Sequence, residues 1–478
     1  MKTTATATAE PFDLVVVGSG SGNSIPEYLA DWRIALVERG TFGGTCLNVG
    51  CIPSKMFVLP ADVAHQAAHS SHLGLDTSFN GADWGAIRDR VFGRIDPITA
   101  GGEEYRATGT PNVTLVRGTA VFESQRSGAQ SDGDLVVSIA DGPDAGRRLS
   151  APRYLLAAGA RPTEPEVPGL GSVRHHTSDT IMRLDRFPKR LGVLGGGFIA
   201  AEMGHVFSGL GAEVHLFTRS GRMLRAFDTE ISERFTAVFT ERVHSHLGTM
   251  PTGVEQRGET IVLHTDVLSA EIVVDELLVA TGRQPNSDVL RVDAVGIATH
   301  ADGRVKVDDT QATSVPGVYA IGDLSNDYQL KHLANAEAKV AFWNLAHPDD
   351  PRSVDYRAVP SAVFSHPQVA TVGLTEQQAT DKGLAFVVGR RDFGGTAYGW
   401  ALEDSTSFAK VLVDSQSRRI LGAHVLGPQA SSLIQPLIQA MQFGQRADEL
   451  ADRVFYIHPA LTEVVENALL DAVEQLPG

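Results

Sequence analysis

Asp13-Leu14-Val15-Val16-Val17-Gly18-Ser19-Gly20-Ser21-Gly22-Asn23, followed by Ile34-Ala35-Leu36-Val37-Glu38, is the stretch that decides the fold. An apolar run that stops on glycine reads as a short strand buried on both faces, and Ile34 to Glu38 reads as a second one. The residues between them are helix-capable, which gives a βαβ rhythm. In such a glycine fingerprint Gly18 permits the tight turn, Gly20 lets backbone approach a pyrophosphate, and the N-terminus of the expected helix supplies a positive field. Glu38, at the end of the second strand, can accept a hydrogen bond from a ribose hydroxyl. Asn23 stands where a third glycine is usual, so a side chain enters the place where helix and strand would pack.

The same rhythm returns at Leu191 to Leu194, which runs into Gly195-Gly196-Gly197-Phe198-Ile199-Ala200. Alanine in the third place suits close packing of helix on strand. Here the following strand, Val214 to Phe217, ends without a carboxylate, and Arg219 and Arg225 come next. Both can hold a 2′-phosphate by charge-assisted hydrogen bonds, which favours NADPH over NADH. The chain therefore contains two dinucleotide-fold beginnings. Helix-type sequence covers about Lys55 to Gly101, and β-type segments follow at Val113 to Phe122 and Leu135 to Ala140. Tyr154 to Gly159, Leu277 to Gly282 and Val318 to Gly322 are further strands that end on glycine, the last followed at once by Asp323. From about Tyr356 the pattern changes to strands at Ala358 to Phe364 and Ala409 to Asp414, then helices, which marks a third domain.

Size and charge limit what such a chain can do. With 478 residues, 42% apolar and 21% charged, it is too long for one core and ordinary for a globular protein. A net charge of −16 repels nucleic acid and anionic lipid. Met1 to Pro11 is Thr/Ala-rich without the apolar run of a secretory signal, and reads as a loose tail. No window approaches the roughly 20 apolar residues of a membrane span, so a soluble protein is expected.

Only two cysteines are present, in Gly43-Gly44-Thr45-Cys46-Leu47-Asn48-Val49-Gly50-Cys51-Ile52-Pro53-Ser54-Lys55. So small a loop stabilises little if bridged, and a secreted protein would carry more cysteines, so a reducing cytoplasm and a catalytic pair are the better reading. In a regular helix residues five apart are about 7.5 Å apart along the axis. A disulfide needs Cα atoms about 4.4 to 6.8 Å apart, so the segment must be distorted, and Gly50 supplies the freedom. Lys55, a turn beyond Cys51, can bring positive charge to a thiolate. Near the C-terminus, His458-Pro459-Ala460-Leu461-Thr462-Glu463 places a histidine with a carboxylate to orient it, and Pro459 suits a helix start. A thiol reductase needs that acid/base, because the leaving thiolate must be protonated.

Two other groups carry less. His65, His69 and His72 share a helix face at spacings that allow metal ligation, but no cysteine or close carboxylate completes a set, so no metal is expected. Met203 and Phe207 read as packing of the second fingerprint's helix on its sheet.

The two fingerprints, the Gly-Gly-Thr-Cys motif with its second cysteine, and the terminal His-Pro with its glutamate together resemble the pyridine nucleotide-disulfide oxidoreductase family over essentially the whole chain. That resemblance implies an α/β protein with two Rossmann-like dinucleotide-binding domains plus a C-terminal α+β dimerisation domain. The implied boundaries are 1–155 and 284–356 for FAD, 156–283 for NADPH, and 357–478 for dimerisation. It implies hydride flow from NADPH to FAD and on to the cysteine pair, with Cys51 as the flavin-side charge-transfer thiolate and Cys46 as the thiol that attacks a small disulfide substrate. Lys55 and Glu202 resemble the family's ion pair beside the flavin, and Phe198 its aromatic gate over the nicotinamide. Gly18, Gly20, Glu38, Thr45, Lys55, Gly159 and Asp323 fall on the FAD side. Gly195, Gly197, Phe198, Arg219, Arg225 and Gly282 fall on the NADPH side. His458 and Glu463 resemble the acid/base dyad that a homodimer lends across to the opposite subunit's site. A chain that keeps the fold only to sense a nucleotide remains the alternative, against which the intact cysteine pair argues.

Overall fold

The computed structural model describes residues 8–124, 135–266 and 271–477. Of the N-terminal tail expected at Met1 to Pro11, residues 1–7 lie outside the described residues. The chain gathers into two compact units.

The first unit comprises residues 1–53, 90–163 and 283–355. Its centre is a five-stranded parallel sheet in the order Val318–Ala320, Tyr154–Leu156, Leu14–Val17, Ile34–Glu38, Val113–Arg117. Side chains alternate along a strand, and both faces here are covered, which is why these strands read as unbroken apolar runs. Leu14, Val16, Ile34 and Leu36 pack with Ala338, Ala341, Phe342 and Leu345 of the helix Lys331–Ala346. Val15, Val17, Ala35 and Val37 pack on the other side with Phe122, Val137 and Leu149. Those three belong to a four-stranded sheet in the order Glu10–Pro11, Arg148–Ala151, Leu135–Ile139, Ala120–Phe122.

One sequence expectation fails here. No α-helix follows the first fingerprint; the chain makes two short 3₁₀ turns, Ser21–Asn23 and Glu27–Leu29, before the next strand. Pro26 explains the break, since it has no N–H to donate and disfavours helical backbone at Ile25 before it. Gly20 and Gly22 weaken any helix nucleus further.

The second unit comprises residues 54–89, 164–282 and 356–478. It holds a four-stranded parallel sheet in the order His244–Leu247, Glu213–Thr218, Arg190–Leu194, Glu276–Val279. The second fingerprint is continued as expected by the helix Phe198–Gly209. A three-stranded antiparallel sheet, Gly253–Arg257, Thr260–His264 and Ile272–Val274, shares a core with Leu194 and Phe217. The region after residue 356 is a five-stranded antiparallel sheet in the order Pro360–Val363, Val369–Gly373, Ile420–Leu426, Phe408–Asp414, Phe386–Asp392. Val464, Val465, Ala468, Leu469 and Ala472 of the helix Thr462–Glu474 join its core.

The helix Cys51–His69 starts in the first unit and runs on in the second. His65 and His69 lie on it, but His72 lies on the separate turn Ser70–Leu73, so the three do not share one helix face. The ring nitrogens of His69 and His72 turn back onto the carbonyls of His65 and His69, which closes the helix end.

Candidate functional site

In the first unit, Gly18 adopts φ +103°, and a Cβ there would come 2.2 Å from the carbonyl oxygen of Ala157. Only glycine fits that turn. The turn then holds Glu38 in place: the Ser19 N–H and hydroxyl donate to Oε2 at 2.9 and 2.6 Å, and the Gly40 N–H donates to Oε1 at 2.7 Å. Oε1, with one bond accepted, keeps lone-pair capacity for a ribose hydroxyl, whereas Oε2 already accepts two. The side chain of Asn23 is not wedged between helix and strand. Its Oδ1 accepts from Arg106 Nε at 2.7 Å, and its carbonyl accepts from Nη2 at 2.8 Å. Asp323 lies on the short turn Gly322–Leu324, which is tied down because Gly322 N–H donates to the buried carboxylate of Glu337 at 2.7 Å. Burial raises the Asp323 carboxyl above the usual range, with the charge of Arg283 opposing it. Gly159 also belongs to this unit, where its carbonyl accepts from Asn286 N–H.

The cysteine segment splits where distortion was expected. A short helix, Gly44–Asn48, ends at Val49, and the long helix starts at Cys51. A Cβ on Gly50 would lie 3.0 Å from the Thr45 carbonyl oxygen and 3.3 Å from Cys46 Cα, so a side chain there would press the two cysteines' backbones apart. Both cysteines are thiols in this structure, and they are hydrogen-bonded to each other. The Cys46 thiol is lowered to about 7. The hydrogen bond from Cys51 is the main cause; burial opposes it, while the Lys331 ammonium and the N–H groups of Cys51 and Ile52 at the helix start add to it. Helix N-termini and nearby cations are the standard means of making a thiolate at neutral pH. Lys331 Nζ is itself held by Ser21 Oγ at 3.1 Å. Asn48 fixes the short helix by donating to Phe42 and Gly44 carbonyls and accepting from Thr99.

In the second unit Gly195 is the counterpart of Gly18, with φ +135° and room for a Cβ only 2.1 Å from the Ala280 carbonyl oxygen. A Cβ on Gly197 or Gly282 would meet nothing within 4 Å, so the backbone there faces open space of the kind a pyrophosphate needs. Phe198 stands at the start of the helix and is 41% exposed. Arg219 and Arg225 are both exposed and make no ion pair among the described residues. Glu202, one turn along the same helix, accepts from Phe364 N–H at 3.0 Å and is bonded to Ser54. Burial pushes its carboxyl up to about 7 against the Phe364 and Ser54 hydrogen bonds and the charge of Lys55. The Lys55 ammonium sits 4.3 Å from the centroid of the Phe364 ring.

His458 Nδ1 lies 2.8 Å from Glu463 Oε1. The helix begins only at Thr462, so Pro459 is not at its start; Pro459 to Leu461 form a turn after a cis His458–Pro459 bond, and Glu463 falls in the first helical turn. The His458 side chain is 72% exposed, whereas Glu463 Oε2 is buried without a partner among the described residues. Phe455 and Ile457 beside it are 101% and 75% exposed.

Thus the first unit gathers Gly18, Gly20, Glu38, Thr45, Cys46, Cys51, Gly159 and Asp323, and the second gathers Lys55, Gly195, Gly197, Phe198, Glu202, Arg219, Arg225, Gly282, His458 and Glu463. Ser19, Lys331 and Phe364 were not foreseen. Ser19 sits inside the fingerprint and could have been read there, whereas Lys331 and Phe364 are brought to Cys46 and Glu202 only by the tertiary fold.

Two dinucleotide turns, a paired thiol with a lowered pKa and a histidine–carboxylate pair define a nucleotide-driven disulfide reductase. Residues 12–339 match the pyridine nucleotide-disulphide oxidoreductase model, and residues 359–469 match that family's dimerisation domain. The chain belongs to the pyridine nucleotide-disulphide oxidoreductase family. It is 47% identical over 466 residues to mycothione reductase of Mycobacterium tuberculosis, covering 96% of this chain and 99% of that one. It is 32% identical to dihydrolipoyl dehydrogenase of Geobacillus stearothermophilus, over 95% of each chain. A solved flavoprotein disulfide reductase of Escherichia coli shares the fold with TM-score 0.82 at 24% identity, covering 98% of this chain and 100% of that one. These matches support an NAD(P)H-dependent, FAD-containing disulfide oxidoreductase that acts as a homodimer on a small disulfide. They do not favour a nucleotide sensor without chemistry.

Proposed function

We propose that the chain uses NADPH to reduce mycothiol disulfide, mycothione, to two thiols. The observation that carries this reading is Cys46, whose thiol lies near 7 beside a second thiol positioned to resolve a mixed disulfide. The 47% identity to a mycothione reductase over nearly the whole length supports the substrate. Arg219 and Arg225, unpaired where an NAD-selecting carboxylate would stand, support NADPH.

FAD, when bound, takes the hydride of NADPH and passes the electron pair to the sulfurs. Gly18, Gly20, Glu38, Thr45, Gly159 and Asp323 are the residues that would hold it, and Gly195, Gly197, Phe198, Arg219, Arg225 and Gly282 those that would hold NADPH. Lys55 and Glu202 set the charge on the flavin side. The Cys46 thiolate attacks one sulfur of the substrate, the substrate S–S bond breaks, and the departing thiolate takes a proton from His458. Cys51 then attacks Cys46, which reforms their disulfide and releases the second thiol. Glu463 fixes the His458 tautomer and supports its cationic form. We assign His458 to the site of the opposite subunit: it stands beside Phe455 and Ile457, apolar side chains that a second copy would cover. A reducing cytoplasm is the compartment we assign; among the described residues no helix is long and apolar enough to cross a membrane.

Steady-state assays with mycothiol, glutathione and lipoamide disulfides test the substrate. The expected outcome is kcat/KM at least tenfold higher for mycothione than for the other two. Equal or higher values for glutathione or lipoamide disulfide would reassign the substrate and leave the chemistry intact.

A further inference from the structure

A histidine cluster on the second unit's parallel sheet takes no part in the chemistry above. The edge strand His244–Leu247 pairs in parallel with Glu213–Thr218, in the register His215 with His244 and Phe217 with His246. Alternation along each strand and pairing across them put Glu213, His215, His244 and His246 on one face. The rings lie together: His215 stacks on His244 with centroids 4.8 Å apart and on His246 at 5.7 Å, and Phe217 backs His246 at 4.4 Å.

The nitrogens are arranged for more than stacking. His215 Nε2 lies 2.8 Å from Glu213 Oε1. A carboxylate can only accept, so Nε2 carries the proton and Nδ1 is left as an acceptor. That Nδ1 accepts a hydrogen bond from His246 Nε2 at 3.4 Å, and a metal ion bound here would take the place of the shared proton. Two imidazole nitrogens on one tetrahedral zinc, each about 2.0 to 2.1 Å from the metal, are about 3.3 to 3.4 Å apart. His244 lies two residues before His246 on the same strand face and opposite His215; it is exposed, so its ring can turn to complete the set. A carboxylate behind one ligand histidine is the usual outer partner in zinc sites, because it fixes the tautomer and raises the ligand's basicity.

We propose that His215 Nδ1, His246 Nε2 and His244 form a three-histidine site for a zinc-type divalent cation, with Glu213 orienting His215 and one coordination position left to water. The donor set is all imidazole, which excludes magnesium and calcium in favour of a borderline transition ion. Such an ion would clamp the edge strand to its neighbour, on the strand that leads into Arg219. Among the described residues, the group of three whose ligand atoms already lie within 4.8 Å of one another is a different one, Glu255, His264 and Glu271, whereas the histidine set needs the His244 ring to turn inward. The two carboxylates of the Glu255 group are already engaged by the Arg257 guanidinium, which occupies the place a cation would take.

The test uses the FAD-loaded enzyme in its oxidised form, so that Cys46 and Cys51 are bridged and cannot bind metal. Equilibrium dialysis against micromolar free zinc, with metal counted by mass spectrometry, should give one zinc per chain and a raised Tm. His215→Ala and His246→Ala should lose it, Glu213→Gln should weaken it by about 10- to 100-fold, and Glu255→Gln should leave it unchanged. Zinc-edge X-ray absorption on the unsubstituted enzyme, which needs no variant to fold, should show imidazole scattering and no sulfur. No bound zinc, zinc retained in His246→Ala, or a sulfur shell would each overturn the proposal.

Discussion

The two nucleotide turns start alike and continue differently. Gly18 and Gly195 each end a buried parallel strand in a left-handed turn that a side chain would drive into a carbonyl oxygen, at Ala157 and Ala280 respectively. After Gly195 the chain enters a twelve-residue helix, whose third fingerprint position, Ala200, is fully buried. After Gly18 it makes two 3₁₀ turns, and the third position, Asn23, points to Arg106. The glycine turn and the helix are therefore separable: the turn comes from close approach of two strand ends, and the helix depends only on the residues beyond the turn. The second region offers a full helix N-terminus to a pyrophosphate. The first offers the field of a single turn, and it packs its loop on the cysteine segment, since a Cβ on Gly44 would meet Gly20 Cα at 2.7 Å.

Substitutions probe this contrast. The largest effect is expected where the second region ends: replacing both Arg219 and Arg225 by alanine removes two charge-assisted contacts of about 1.5–3 kcal/mol each, raising KM for NADPH about 100-fold or more with KM for NADH little changed. Equal effects on both nucleotides would show that these arginines do not read the 2′-phosphate. Next, Ala200→Asn buries an amide in close helix–strand packing and should cost about 2–4 kcal/mol by denaturant unfolding. Asn23→Ala should be milder, about 1 kcal/mol, because Arg106 loses one half-exposed hydrogen bond and nothing clashes. If the two costs came out alike, the third position would have the same role in both regions.

Much of this was readable in advance, and the reason is local. The apolar runs Leu14 to Val17 and Leu191 to Leu194 show burial on both faces, and glycine at the strand end marks the turn whatever lies beyond. The cysteine motif carried its own break at Gly50. The absent helix was also written locally, in Pro26, but the expectation of a βαβ unit outweighed it. Other features had no local trace. Phe364 reaches Glu202 across 162 residues of sequence, and Lys331 reaches Cys46 only because its helix packs under the first fingerprint. The histidine face of Glu213, His215, His244 and His246 depends on the parallel register of two strands, which spacing alone does not reveal.

Reaction of the enzyme with one equivalent of NADPH under anaerobic conditions, followed by iodoacetamide, tests the central claim most directly. Two thiols per chain should appear, with Cys46 alkylated first at a rate that falls as the pH drops below about 7. A flavin that is reduced while no thiol appears, or alkylation confined to Cys51, would contradict it.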